Sequence, residues 1–295
     1  MVIIHSTRCL DYESSGHPER PARIRSALQC LRDGPHTWLE PAPCTDADLL
    51  LVHEPSQLEA VRTGRYHDSD TPFFPHIDQL ARLAAGGAVL AAETALAGQP
   101  AFSLMRPPGH HATKNRVMGF CYYNNIAVAV ARVLRQTARP VAILDFDCHH
   151  GNGTEDIFQG DHFVTYASLH QSPCYPGTGL WMRHNCWNYP LLPGTMPDEF
   201  LTALDDCLEK LHHIGPSLLA ISAGFDSYRN DPITEMNLDV ETFGVVGEKI
   251  RQFCQRAAKP DGTPLPSFAV MEGGYAENVG ECVRAFIEGW EGRKA

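Results

Sequence analysis

The segment Asp145-Phe146-Asp147-Cys148-His149 sets two carboxylates and an imidazole at alternate positions. On an extended backbone alternate side chains point the same way, so this spacing predicts that Asp145, Asp147 and His149 share one face. A carboxylate and an imidazole presented together suit zinc, whose protein sites mix nitrogen and oxygen ligands. Asp226, closing the segment Ser222-Ala223-Gly224-Phe225-Asp226, offers a further carboxylate. Three protein ligands leave coordination positions for water and a substrate carbonyl, as catalytic zinc requires. Each residue alone has a plainer reading, because aspartates cap helices and histidines satisfy hydrogen bonds. The metal reading rests on their company.

That company includes His110 and His111, which follow a Pro107-Pro108-Gly109 turn suited to holding a general base beside a metal-bound water. Asp145 or Asn152 could orient the two rings through their far nitrogens. Tyr275 follows Gly273 and Gly274, whose freedom of backbone shape lets a phenol come close to a polarised carbonyl. Without a metal site nearby, Tyr275 would read as an ordinary turn residue.

Positioning such groups together is a task for a parallel sheet. Short apolar runs rich in β-branched residues alternate with amphipathic stretches, the pattern of a central, mostly parallel sheet flanked by helices in an α/β fold. Strands are expected at Val2–Ile4, Ala101–Met105, Val141–Leu144, Phe163–Ala167, Leu218–Ser222 and Phe268–Met271. Helices are expected near Arg20–Leu31, Ile77–Leu96, Ile126–Gln136, Asp198–Leu211, Val240–Ala257 and Val279–Trp290, several stopping near Gly34, Gly98 or Gly215. The loops RPPGHH, DFDCHHGNG, SLH, AGFD and EGGY each follow one of the later strands. In an open parallel sheet, loops leaving the carboxyl ends share one edge, so these five should converge there as an active site.

At 295 residues with 43% hydrophobic content, the chain can bury a full core, and no linker or repeat divides it. One domain, 1–295, is expected. A net charge of -11 without a basic run opposes direct nucleic-acid binding and weakly favours cationic substrates. The opening Met-Val-Ile-Ile-His reads as a strand, not a secretory leader, and no apolar run could span a bilayer. Ten cysteines scattered singly imply neither a thiolate zinc cage nor a disulfide framework, and hence a reducing cytoplasm.

The motifs RPPGHHA, GFCYYNN, DFDCHHGNGTEDIF, SLHQSPCYPGTG, SAGFD with Asp231-Pro232, and MEGGY occur in the order seen in histone deacetylases and acetylpolyamine amidohydrolases. The chain resembles this family, class II enzymes and their prokaryotic relatives above all, from about Pro18 to Trp290. The resemblance implies the arginase/deacetylase fold. It implies one catalytic zinc on Asp147, His149 and Asp226, with His111 as general base, His110 as its electrostatic partner and Tyr275 as oxyanion donor. A structural potassium or sodium ion is implied at Asp145, Ser168 and Leu169, with the backbone carbonyls of Asp147 and His149. Phe120 and Tyr175 would line a narrow tunnel for an aliphatic stem, with Gly119, Ile233 and Gly273 helping to shape the substrate site. Arg23, in GHPERPAR, matches an arginine of an internal channel proposed for acetate release. Asn152 stands where class I enzymes carry aspartate. The long insertion common in polyamine-specific enzymes is missing before His110, and Ile233 provides no carboxylate for a distal ammonium.

These readings point to a hydrolase that removes acetyl, or another acyl group, from the ε-amine of lysine or from a polyamine. Acyl-lysine proteins or peptides, or acetylpolyamines, would be its partners, with oligomerisation left open. An arginase-like two-metal ureohydrolase would need more bridging carboxylates and gives Tyr275 and the histidine pair no task. A non-catalytic acyl-lysine binding module is disfavoured because every expected catalytic position is filled.

Overall fold

The protein's computed structural model describes residues 1–293. Its apolar runs form β1 (Val2–Ile4), β2 (Thr37–Leu39), β3 (Ala101–Ser103), β4 (Val141–Asp145), β5 (Val164–Gln171), β6 (Cys186–Leu191), β7 (Leu218–Ala223) and β8 (Ser267–Met271). They make a single eight-stranded sheet in the order β2-β1-β3-β8-β7-β4-β5-β6, and every neighbouring pair is parallel. The sheet expected to be mostly parallel is wholly parallel among the described residues. Lys294 and Ala295, included in the expected domain, lie outside those residues.

Both faces of the sheet are covered. Val2, Ile4, Val141 and Ile143 enter one core with α4 (Ile77–Leu96) and α5 (Asn125–Thr137). The intervening Ile3, Ala142 and Leu144 enter the other with α1 (Ala22–Leu31), α8 (Val240–Arg256) and α9 (Val279–Glu291). This period-two division follows from the pleat, which sends successive side chains to opposite faces. Each fully buried Ile, Leu or Phe contributes roughly 1.5–3 kcal/mol relative to exposure. Local signals fix where helices begin: Asn124 Oδ1 accepts the Ala127 N–H at 3.1 Å, and Asp239 Oδ1 accepts the Thr242 N–H at 2.9 Å.

Further elements are α2 (Asp46–Leu49), α3 (Pro55–Thr63), α6 (Asn152–Phe158) and α7 (Pro197–His213). β2, β6, α2, α3 and α6 are additional to the elements expected from the sequence. The strand expected over Ala101–Met105 stops at Ser103, although Leu104 and Met105 stay buried. The one expected over Phe163–Ala167 starts at Val164 and continues to Gln171, because its ladder with β6 runs from Tyr166 to Gln171. No helix among the described residues is long and apolar enough to cross a membrane.

Topology delivers the convergence. Motif loops leave β3, β8, β7 and β4, whereas Ser168-Leu169-His170, expected as a loop, is instead the closing part of β5; these five strands are neighbours at the centre of the sheet. All five chains emerge at one edge.

Candidate active site

β4 ends at Asp145, and the backbone bends through residues 147–149 instead of staying extended. The expectation that Asp145, Asp147 and His149 share one face is therefore corrected. Asp145 Oδ1 accepts the Asp147 N–H at 3.1 Å, and Asp147 Oδ1 accepts the His149 N–H at 2.9 Å. A carboxylate that accepts the amide two residues on closes a turn, so two in succession curl the chain. Asp147 and His149 thereby face Asp226, while Asp145 Oδ2 meets His110 Nδ1 at 3.0 Å and accepts the Tyr166 hydroxyl at 2.9 Å.

One ligand atom each from Asp147, His149 and Asp226 lies within 4.8 Å of the others, and all three residues are buried. His149 Nδ1 stands 3.1 Å from Asp147 Oδ1 and 2.8 Å from Asp226 Oδ2. The remaining oxygens are anchored: Asp226 Oδ1 accepts the Cys148 N–H at 2.8 Å and Asp147 Oδ2 the Gly273 N–H at 2.6 Å. Gly273 has to be glycine here, since a Cβ would sit 2.3 Å from Asp226 Oδ2 and 2.6 Å from Asp147 Oδ2. Burial raises the pKa of Asp226, and the charge on Asp147 raises it further. Burial disfavours charge on His149 too, but Asp226 and Asp147 outweigh it and lift the imidazole well above its ordinary value. Two buried carboxylates facing one ring leave a deficit of positive charge that a divalent cation would fill, and the mixed oxygen and nitrogen donors fit zinc. This is a candidate buried metal site.

His110 and His111 have unlike surroundings. Burial would lower the pKa of His110, yet Asp145 and Asp147 push it up to about 10. His111 is held well below its usual range by burial and by positive charge on His110 and His149. His111 Nδ1 lies 2.8 Å from Asn152 Oδ1, while Asn152 Nδ2 points to Met118 Sδ at 3.4 Å. An amide oxygen only accepts, so His111 carries its proton on Nδ1 and leaves Nε2 with a lone pair. Of the two candidate orienting groups, Asp145 takes His110 and Asn152 takes His111.

A cavity of about 290 Å³ opens above these groups. His111, His149, Gly119, Phe120, Tyr175, Ile233 and Tyr275 all line it. The rings of His111 and Tyr175 meet edge-on with centroids 5.1 Å apart, and those of Phe120 and Tyr275 do so at 5.7 Å. Gly119 adopts φ +58°, and a Cβ there would approach the His111 ring to 2.5 Å. Larger open space, about 600 Å³, exists near Arg139, His212 and Lys259, but none of the motif residues reaches it.

Gly273 and Arg23 stand behind the cavity wall and do not line it. Arg23 is buried, donates through Nε to the Gly274 carbonyl at 2.6 Å and lies 4.6 Å from the centroid of the Tyr275 ring. Its Nη1 reaches Glu19 Oε1 at 3.0 Å. Burial raises the Tyr275 pKa well above its usual value, so the phenol keeps its proton.

Residues 17–290 match the histone deacetylase domain. The chain belongs to the histone deacetylase family. It is 40% identical to a probable deacetylase of Methanothermobacter thermautotrophicus, over 100% of this chain and 92% of that protein. It is 37% identical to a histone deacetylase-like amidohydrolase of Pseudomonas aeruginosa, over 93% of this chain and 77% of that one. The crystal structure of acetylpolyamine aminohydrolase from Burkholderia pseudomallei superposes with a TM-score of 0.87 at 27% identity, covering 98% of each chain. The deacetylase fold and hydrolase class expected from the motifs are thus those of the protein.

Beside the site, Ser168 lies opposite Asp145 in the β4–β5 register, and Ser168 and Leu169 are fully buried. Ser168 Oγ is 2.9 Å from His170 Nδ1. Four site residues had no role in the sequence reading. Asp70 and Cys174 line the cavity. Asp231 Oδ2 accepts the Tyr275 N–H at 2.6 Å, and Glu272 accepts the N–H groups of Gly109 and His110. Asp231 and Glu272 sit inside the motifs that carried the resemblance, and Cys174 lies within SPCYPGTG; Asp70 has no comparable signal.

Proposed function

We propose that this chain is a zinc-dependent amide hydrolase that removes acetyl, or another acyl group, from the ε-amine of lysine or from an acylated polyamine. The observation that carries the proposal is the placement of Asp147, His149 and Asp226 in one buried cluster whose imidazole, with His111 and Tyr275, lines the same cavity. Asp147, His149 and Asp226 would hold the zinc. When bound, zinc supplies Lewis-acid chemistry: it polarises an amide carbonyl and brings the pKa of a water from about 15.7 down towards about 7.

The chain's own groups account for the rest. His111 Nε2, unprotonated because Nδ1 serves Asn152, takes a proton from the attacking water and returns one to the departing amine. His110, held cationic by Asp145 and Asp147, keeps positive charge beside it. The Tyr275 hydroxyl donates to the developing oxyanion, a contact worth roughly 3–4 kcal/mol in comparable sites. Phe120 and Tyr175 offer apolar walls to a methylene stem. Asp145, Ser168 and Leu169, with the carbonyls of Asp147 and His149, would hold a potassium or sodium ion. Relatives named acetylpolyamine amidohydrolase support a polyamine substrate, while the apolar Ile233 at the cavity favours none for a distal ammonium.

Metal analysis tests the proposal. Wild-type protein should bind one zinc per chain and hydrolyse acetyl-lysine peptides or acetylpolyamines; Asp226→Ala should lose both properties and remain folded. Full zinc content with normal turnover in Asp226→Ala overturns the ligand assignment.

A further inference from the structure

Glu272 follows β8 directly and is wholly buried. A buried carboxylate without partners costs several kcal/mol, so its contacts must repay that cost. Oε2 accepts the Gly109 N–H at 2.7 Å and the His110 N–H at 3.1 Å, and Oε1 accepts the Ser222 hydroxyl at 3.1 Å. Its main-chain N–H donates to the Ala223 carbonyl at 2.9 Å, and its own carbonyl accepts Arg23 Nη2. Arg23 then reaches the Gly274 carbonyl and the face of Tyr275. One residue therefore ties the loop after β3 to the end of β7 and to the loop after β8.

The histidine loop is also held from its other side. The His110 carbonyl accepts the N–H groups of Gly153 at 3.0 Å and Thr154 at 3.1 Å, at the start of the helix that carries Asn152. The peptide of His110 is thus clamped between Glu272 and α6. The ring of His111 is pinned to the same helix through Asn152.

We infer that Glu272 is a positioning residue that fixes the His110–His111 loop relative to the Tyr275 loop, so that the proton acceptor and the oxyanion donor bracket one carbonyl. This rests on the roles proposed above for His111 and Tyr275. Glu272 touches no substrate and acts through backbone amides. Displacing a reacting group by about 1 Å can cost about a hundredfold in rate, so the clamp should show in turnover and not in binding.

Two substitutions of similar volume separate the acceptor from mere filling of space. Glu272→Gln retains an oxygen for the two amides, and its NH2 can donate to Ser222. Glu272→Met retains the bulk and removes every acceptor. We expect kcat of Glu272→Met to fall about a hundredfold with KM changed less than about threefold, and Glu272→Gln to recover kcat to within about tenfold of wild type. Hydrogen exchange in the segment 106–113 should quicken in Glu272→Met and stay near wild type in Glu272→Gln. Should Glu272→Met fold poorly, Glu272→Asp, which draws the carboxylate back by one methylene, should show the same pairing of lost kcat and faster exchange. Unchanged exchange and kcat in the acceptor-less or shortened variant overturns the inference, as does a rise in KM at constant kcat. A wild type inactive on every acetylated amine would refute the proposed function instead, and the exchange measurement would still decide the clamp.

Discussion

Replacing Asn152 by Asp changes almost no volume and puts a negative charge where an amide oxygen now stands 2.8 Å from His111 Nδ1. At an effective dielectric near 20, unit charges centred about 4 Å apart interact by ~4 kcal/mol, or about three pKa units. Desolvating the new carboxylate offsets part of this, leaving an upward shift of roughly 1–3 units, the range found for close opposite charges. The direction follows from the mechanism. His111 acts as a base only when neutral, and its surroundings now hold its pKa well below the ordinary value. A raised pKa keeps the ring protonated to higher pH, so the acid limb of the kcat/KM profile should move up by the same roughly 1–3 units. The assay is kcat/KM against pH, from about 5 to about 9, for zinc-loaded wild type and Asn152→Asp on an acetyl-lysine peptide. Superimposable acid limbs, or a limb moved to lower pH, would refute the assignment of His111 as the base and of Asn152 as the group that sets its tautomer.

Tyr275→Phe keeps the ring that packs on Arg23 and Phe120 but removes the hydroxyl, so kcat should fall by about a hundredfold or more while substrate affinity survives; steady-state kinetics showing a raised KM at constant kcat would make Tyr275 a binding residue. Burial alone would raise the Glu19 pKa, but Arg106, at 2.6 and 2.8 Å, and Arg23 outweigh it and hold the carboxyl at about 2. Because this folded value lies below the unfolded one of ~4.3, the contribution to stability is full above that pH and is lost as pH falls towards about 2. Glu19→Gln should accordingly cost about 3 kcal/mol at neutral pH and flatten the acid dependence. Urea unfolding at neutral and acid pH checks both, and parallel pH dependence in the two proteins would contradict the ion-pair account.

What could be read from the sequence was whatever buries itself in a regular pattern. Val2–Ile4 and Ile77–Leu96 were expected at the bounds they have, because one is a short apolar run and the other keeps its apolar face for twenty residues. β2 escaped notice because all three of its residues are exposed at the sheet edge, and β6 because Asn188 and Pro190 break its apolar run. α6, seven residues opening on Asn-Gly, has too little periodicity to register. Within the site, the cavity-lining side chains that sit in the motifs were legible through residue type and motif order, apart from Cys174, whereas Asp70, outside every motif, was not. The bend after Asp145 was not, since it depends on each carboxylate choosing an amide two residues on. Glu272 was equally hidden: one carboxylate oxygen serves main-chain amides more than 160 residues away and the other the Ser222 hydroxyl, which no local pattern reveals.

β8 is the latest strand in the described chain, yet it lies between β3 and β7 at the middle of the sheet. Until it is in place, β2-β1-β3 and β7-β4-β5-β6 are two separate ribbons with facing unpaired edges. During synthesis, at roughly 5–20 residues per second, the ribosome must therefore deliver the chain through Met271 before the two ribbons can be joined. The same event brings Gly273 to Asp147 and Tyr275 to the cavity. Assembly of the sheet and completion of the reactive centre are thus one step, and a nascent chain stopped short of that step would leave an incomplete centre and two open strand edges for chaperones to guard.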